Sequence, residues 1–334
     1  MAMKHGFVGI DVGSKALHVA IHGGDDVKEF VNTAEGHKQL FGYLKKRARR
    51  FTVVLESTGV YGLDVALLLH GQKRARVCYV NPVQARAYAH VTHARAKTDR
   101  VDARILAEMA ASVPLQEWTP PEQRAMELRA LTRRLRTVIN DRTREKNRLK
   151  SAQSTKQTPE VLLEDIEANI AHLDQRIERL KQGAIAYAMR FRDWAEAMEL
   201  LTSIKGIAEQ TAVEVIGELA CMPSDLTPRQ AVAQAGLDPR ARQSGMMDGR
   251  RHISKMGSRY LRATLYVAAV NTVRWVPEIE TFFNVLTQER GKLKKVAYVA
   301  VARKLLHTII GILRTKTRFQ PELFYRPKLQ KAAA

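Results

Sequence analysis

Cysteine is nearly absent: Cys78 and Cys221 are the only two, and they lie far apart in the chain. That excludes a disulfide framework and a cysteine-based zinc site, and it suits a reducing compartment. Each reads as a small buried hydrophobe rather than a reactive thiol. Aromatics make up only 6%, so few side chains could stack on a base. Tyr61, Tyr88 and Trp118 are the candidates, and each reads first as a packing residue. No run of eighteen apolar residues occurs, which predicts no membrane-spanning helix. The start, "MAMKHGFVGIDVG", enters a strand pattern at once and has no apolar leader segment. Acids are scarce beside bases. The 34 Asp and Glu face 55 Lys and Arg, a formal charge of +21 with a sequence pI near 10.2. A polyanionic partner follows, with nucleic acid ahead of an anionic membrane surface.

What is present is enough chain, 334 residues, for two domains or for one domain with a helical insertion. Strands and helices alternate through the first ~115 residues. "FVGIDV", "ALHVAIHG" and "VKEFVNT" read as three antiparallel strands joined by tight turns. "AEGHKQLFGYLKKRAR" has helical period, and "FTVVLEST" is a nearly continuous apolar strand ending near Glu56. "YGLDVALLLHGQ" is a helix closed by Gly71, "ARVCYVN" a strand, and "PVQARAYAHVTHA" a helix after Pro82. "KTDRVDARILAEMA" opens one more helix. The order β-β-β-α-β-α-β-α predicts an α/β domain with a mixed sheet.

Residues 119–198 read as long polar helices. The first follows Pro120 and Pro121. The second carries Leu162, Ile166, Ile170, Leu173, Ile177 and Leu180 at spacings of three and four. That stripe fits a single-chain helical hairpin or an oligomerising coiled coil. From 199 onward short helices and turns dominate. "LLTSIKGIAEQTAVEVIGEL" is helix, turn, helix, and "GRRHISKMGSRYLRATLY" is a basic loop entering a helix. "KKVAYVAVARKLLHTIIGILRTK" is a strongly apolar helix, and the tail "PKLQKAAA" reads as frayed.

Four acids stand out. Asp11 sits among Phe7, Val8, Ile10 and Val12, and Glu56 ends "VVLE". Asp is disfavoured in strands. Either acid alone reads equally as a strand-end group bonded to turn N–H groups. Together they can converge at one edge of a sheet. On a helical wheel Asp102 falls inside the apolar arc of Val101, Ile105, Leu106 and Met109, with Asp99 at its border. Arg100 and Arg104 point away. A helix dipole favours first-turn acids but does not require one facing the core. Burying that charge needs compensation, and a divalent cation supplies it. An all-carboxylate set suits Mg²⁺ or Mn²⁺, and such ions serve phosphodiester chemistry.

At these residues the chain resembles the DEDD-type insertion-sequence transposases, described as bridge-RNA-guided recombinases. The motifs are "GIDVGSKALHVAI", "VVLESTGVYGLDVALLL", "VCYVNPVQARAYA", "KTDRVDARILAEMA", "LLTSIKGIAEQTA", "AGLDPRARQSG" and "GRRHISKMGSRYLRATLY". The ordered set is specific, whereas "GIDVGS" alone also suits sugar kinases and actin-like ATPases. The resemblance implies an RNase H-like, RuvC-like catalytic domain over 1–118 and a helical coiled-coil region over 119–198. It implies a mainly α C-terminal transposase domain over 199–334. Asp11, Glu56, Asp99 and Asp102 are implied as a metal-binding tetrad, with Ser244 in "RQSGMMDG" as the nucleophile that links to a DNA phosphate. Target and donor DNA and a structured bridge RNA are the implied partners. A homo-oligomer, dimers assembling to a tetramer with shared active sites, is the implied assembly. The place of action is then the bacterial cytoplasm, at the nucleoid.

Read locally, Ser244 is also an ordinary loop serine, and a hydroxyl is a weak nucleophile until activated. No histidine adjoins it, so activation by the carboxylate-bound metal is the economical proposal. Ser254 and Ser258 are rivals that read as cap or phosphate-contacting residues. Arg250, Arg251, His252, Lys255, Arg259 and Arg262 crowd the segment after Ser244, either as a solvated face or as a phosphate-tracking surface. Arg133, Arg134, Arg136, Arg142, Arg144, Lys146, Arg148 and Lys150 form a second basic stretch, read as contact to an RNA or DNA backbone. "SIKGIAEQTA" resembles a helix-hairpin-helix turn, but Ala208 stands where a second glycine is usual. Three other readings stay open. A Holliday-junction resolvase would need the acids but not Ser244. A sugar kinase would need a further nucleotide motif that is not found. The third is a nucleic-acid-binding module with a decayed site.

Overall fold

The computed structural model describes residues 3–56, 59, 61–91, 98–240, 243–244, 247–248 and 252–325. For Gln243, Ser244, Met247 and Asp248 only the strand pairing is described. Arg250, Arg251 and the tail "PKLQKAAA" lie outside the described residues. The chain divides into two compact units, Met1–Pro120 and Pro121–Ala334.

The first unit is built on strands β1 (Met3–Val12), β2 (Ala16–Ile21) and β3 (Val27–Val31), helix α1 (Ala34–Arg47) and strand β4 (Ala48–Glu56). Helix α2 (Leu63–His70), strand β5 (Ala75–Val80), α3 (Pro82–Val91) and α4 (Asp99–Ser112) follow. The sheet order is β3-β2-β1-β4-β5. The first three strands are antiparallel, and β1–β4 and β4–β5 are parallel. This mixed five-stranded sheet between helices is compatible with an α/β RNase H-like core. It differs from the sequence expectation mainly at β4, which begins at Ala48. There the paired segment "ARR" lacks the apolar signal but continues the ladder, His5 pairing with Arg50.

Alternation along the strands divides the core into two layers. Val8, Ile10, Leu17, Val19, Val53 and Leu55 pack with Leu40 and Leu44 of α1 and Val65 and Leu69 of α2. Val54 and Cys78 face the other way, onto Leu106, Met109 and Ala110 of α4. Cys78 is fully buried, and burial pushes its thiol pKa up, so it is a packing residue as expected. Small residues let α4 lie close to the sheet: Ala20 packs with Ala103 and Ala107. A Cβ at Gly9, which pairs with Ala20, would fall 2.1 Å from the Ala103 carbonyl oxygen.

The second unit opens with α5 (Gln123–Ala152) and α6 (Glu160–Met189). They form an intrachain hairpin, zipped by Leu135 and Val138 against Leu173 and Ile177. Arg142 donates to Asp174 at 2.6 Å across it. The stripe expected on the second helix is therefore largely used inside the chain. Leu162, near the hairpin tip, is 46% exposed.

Then come α7 (Arg192–Thr202), α8 (Glu209–Leu219) and α9 (Pro228–Gln234). Short strands β6 (Pro239–Arg240), β7 (Gln243–Ser244), β8 (Met247–Asp248) and β9 (His252–Ile253) pair as β6–β9 and β7–β8. Helices α10 (Arg259–Trp275), α11 (Pro277–Asn284), α12 (Lys294–Thr315) and α13 (Pro321–Phe324) complete the unit, with a π-turn at Val285–Glu289. Residues 119–198 and 199–334, read from sequence as two regions, share one core. Leu128 and Ala184 of the hairpin pack with Leu201, Val213, Leu265 and Leu305. α12 is long and apolar enough to cross a membrane by length and composition alone, a test that a buried core helix also passes. Its apolar face is the centre of this core: Val301, Leu305, Leu306 and Ile309 are fully buried.

Candidate functional site

The first candidate site lies where β1 and β4 end. Their parallel register pairs Ile10 with Leu55, so Asp11 and Glu56 are the next residues on adjacent strands. Asp11 falls on the same face as Gly9, the face α4 covers. The tight seat of α4 on Gly9 carries the first turn of that helix over the strand ends. Thr98 caps it, its hydroxyl accepting the Val101 N–H at 3.3 Å. Asp99 is exposed and Asp102 half-buried, as the helical wheel predicts. Arg104 points away and donates to the Asp25 carbonyl at 2.6 Å.

Electrostatics record the convergence. Asp11 has its pKa pushed up to about 6, first by burial, then by the negative charges of Asp99 and Asp102. Glu56 adds to this, and His18 opposes it. One carboxylate thus feels the other three.

His18 is the residue that sequence reasoning missed. The antiparallel ladder pairs it with Asp11. Ligand atoms of Asp11, His18 and Asp99 all lie within 4.8 Å of one another, a group able to hold a metal ion. In the sequence His18 is one polar residue in "ALHVAIHG". Its only signal is its pairing register with Asp11.

The second candidate region is the loop entering α10. Ser244 ends β7 and pairs with Met247. The rivals are engaged elsewhere. Ser258 caps α10, accepting the Leu261 N–H at 3.2 Å, and donates to Glu218 at 2.6 Å. The Ser254 hydroxyl donates to Asp238 and accepts the Met256 N–H at 3.2 Å. Gly236, at φ +63°, lies against the Lys255 backbone, and Lys255 itself takes φ +55°. Lys255 and Arg259 are exposed. Arg262 is partly buried and donates to the carbonyl of Ala235, at the end of α9, at 2.8 Å.

The basic stretch of α5 divides in two. Arg133 forms a two-pronged pair with Glu218, at 2.6 and 3.1 Å. Arg136 pairs with Glu214, which also accepts from Thr264 at 2.6 Å. Glu214 and Glu218 are 3% and 4% exposed, so these arginines neutralise buried carboxylates. Arg134, Lys146 and Lys150 remain exposed. In the turn before α8, Gly206 takes φ +96° and lies against the backbone of Asn271 and Thr272. Its glycine is thus required by packing.

The chain is similar in sequence to known proteins. Residues 8–154 match a DEDD transposase model of the IS110 type, described as a transposase. Residues 198–284 match the model described as transposase IS116/IS110/IS902 family. The pilin gene-inverting protein of Moraxella bovis is 24% identical over 331 residues, covering 96% of this chain and 99% of its own. The protein of the same name from Moraxella lacunata is equally similar. A putative transposase, y4rJ, of Sinorhizobium fredii is 25% identical over 324 residues, 80% of this chain and 79% of its own. The chain is a DNA transposase or recombinase. It belongs to the IS110-type family of insertion-sequence transposases.

Proposed function

We propose that this chain is the RNA-guided DNA recombinase of an insertion sequence. It cuts and rejoins DNA through Ser244, with Mg²⁺ or Mn²⁺ at Asp11, Glu56, Asp99 and Asp102. The observation that carries the reading is Asp11, raised to about 6 by burial and by the other three acids. Four like charges gathered at a strand end repel one another unless a cation joins them. The donor set fits a hard or borderline divalent ion, with carboxylates in the majority and no cysteine. Such an ion, when bound, supplies Lewis-acid stabilisation of charge on the phosphate.

The chain's own part is positioning and nucleophilic attack. The Ser244 Oγ–P bond forms, one P–O ester bond of the DNA breaks, and the hydroxyl proton passes to the departing sugar oxygen. A DNA hydroxyl then attacks the phosphoserine, restoring the ester and freeing the serine. No high-energy cofactor is consumed, because each ester replaces another. Lys255 and Arg259, exposed beside the loop, contact phosphates, with Arg250 and Arg251 joining them on sequence grounds. Arg262 is tied to the end of α9. Arg134, Lys146 and Lys150 offer a further surface for a nucleic-acid backbone. The partners are target and donor DNA and a structured bridge RNA. The working assembly is a homo-oligomer, a dimer joining into a tetramer, acting at the nucleoid.

The test is recombination between donor and target plasmids, with the protein purified alongside its bound nucleic acid. Ser244→Ala and Asp11→Asn are both expected to abolish product, and a structured RNA from the gene's flank is expected to co-purify. Full recombination by Ser244→Ala would overturn the serine step and favour metal-activated water. Recombination after complete RNase treatment would overturn RNA guidance.

A further inference from the structure

His18 turns one edge of the acidic site into a mixed nitrogen and oxygen donor set. Its Nδ1 is buried and has no hydrogen-bond partner among the described residues. That atom lies 3.9 Å from the nearer Asp99 carboxylate oxygen, too far for a hydrogen bond. The opposite ring nitrogen, Nε2, faces Glu29 at 3.7 Å. Asp11 sits across the ladder from the ring, and one donor atom from each of Asp11, His18 and Asp99 falls within a 4.8 Å span. The ring is 16% exposed, so little solvent reaches it.

A buried ring nitrogen left unsatisfied is costly. A carboxylate near one ring nitrogen favours the proton there and leaves a lone pair on the other, the arrangement common to metal-bound histidines. Glu29 is the carboxylate nearest Nε2 but lies beyond hydrogen-bond distance, so it is the burial of Nδ1, 3.9 Å from Asp99, that marks Nδ1 as the atom offered to an ion. An ion between the Asp11 and Asp99 carboxylates would give that atom a partner.

We infer that His18 is a ligand, through Nδ1, of the cation held by Asp11 and Asp99, and that it biases this position toward Mn²⁺ over Mg²⁺. The inference rests on the reading of the acids as a metal site. Its chemical basis is ligand softness. Mg²⁺ prefers oxygen ligands and retained water, whereas an imidazole nitrogen adds affinity for first-row transition ions.

The experiment uses the full-length protein stripped of metal by chelation and titrated with Mn²⁺ or Mg²⁺ alone. Pulsed electron paramagnetic resonance of the Mn²⁺ form reads coupling to a directly bound ¹⁴N. Wild type is expected to show that coupling, and ¹⁵N-labelling of histidine alone should change it to a ¹⁵N pattern. His18→Asn is expected to lose the coupling and to bind Mn²⁺ about 10–100-fold more weakly, the range for losing a supporting group at a metal site. Its Mg²⁺ affinity should change less than about threefold, because an oxygen-preferring ion gains little from the ring. The labelling result stands whether or not the variant folds.

Two failures are distinguishable. Suppose wild type binds no Mn²⁺, or Asp11→Asn binds it equally well. Then the metal-site reading falls, and this inference falls with it. Suppose instead Mn²⁺ binds, Asp11→Asn abolishes binding, and no nitrogen coupling is seen. Then the acids are a metal site, and His18 is overturned as a ligand.

Discussion

Gly9 on β1 and Ala103 on α4 touch backbone to backbone, leaving no space for a side chain between them. The contact sets the height of α4 above the sheet. Asp99, one turn earlier on that helix, and Asp102, the residue just before Ala103, inherit their distance from Asp11 through it.

Gly9→Ala should therefore act twice. The added carbon would also lie 2.3 Å from the Ala107 amide nitrogen, and both atoms are backbone, so α4 itself must move. Overpacking of this kind costs ~1–3 kcal/mol, and the upper end applies where no flexible side chain can yield. Thermal unfolding of the first unit should occur at lower temperature. Mn²⁺ affinity should fall even at temperatures where the variant is fully folded. Unchanged affinity in the folded variant would show that helix height does not set the site.

Asp11→Asn should stabilise the metal-free protein at neutral pH. The Asp11 carboxyl has its pKa raised from an ordinary 3.8 to about 6. The folded state thus holds a proton that the unfolded chain has lost between about pH 4 and 6. Folded stability falls as pH climbs through that window, and the loss is complete above it. Asparagine keeps the shape and removes the charge, so its advantage should grow from pH 4 to 6 and then level off. Melting curves in a chelator across pH 4–8 check this, and a constant difference at all pH values would contradict it.

How much of this was legible in the sequence depends on how far apart the interacting residues lie. The strands of the first unit show in their alternation, and Asp102 shows in its helical phase, because both are local patterns. His18 does not show. Its importance comes from facing Asp11 across a ladder, and nothing in "ALHVAIHG", which holds two histidines, His18 and His22, marks that register. Arg133 and Arg136 mislead for the same reason. They sit in a basic run that reads as a nucleic-acid face, yet their partners Glu218 and Glu214 lie 85 and 78 residues away. A signal existed on the partners' side. Glu214 and Glu218 sit four apart in the otherwise apolar "TAVEVIGEL", where buried acids require cations. The two-residue strands around Ser244 are too short to leave any period.

Arg136→Ala should be severely destabilising, through Glu214 rather than through lost contact area. It leaves a buried carboxylate with only neutral partners among the described residues, the Thr264 hydroxyl at 2.6 Å and the Gln210 amide at 3.1 Å. Removing one member of a buried ion pair costs ~3–5 kcal/mol. The double change Arg136→Met with Glu214→Leu should recover most of that loss, since it leaves no orphaned charge. Urea unfolding of the single and double variants measures both. An Arg136→Ala protein of wild-type stability would return Arg136 to the nucleic-acid surface.

The serines of the loop can be told apart by separating stability from chemistry. Ser258→Ala removes the cap of α10 and the hydroxyl bond to Glu218. It should cost about 1–2 kcal/mol and lower the melting temperature. At a temperature where that variant stays folded, it should still form the detergent-stable protein–DNA adduct expected of a serine intermediate. Ser244→Ala should show the opposite pattern. It should melt close to wild type, because its position is in a two-residue strand pair, yet form no adduct. Denaturing gels with end-labelled DNA read the adduct, and calorimetry reads the stability. An adduct from Ser244→Ala that vanishes in Ser254→Ala or Ser258→Ala would move the nucleophile to that serine. The hydrogen bonds those hydroxyls make to Asp238 and Glu218 would then be activating contacts instead of structural ones.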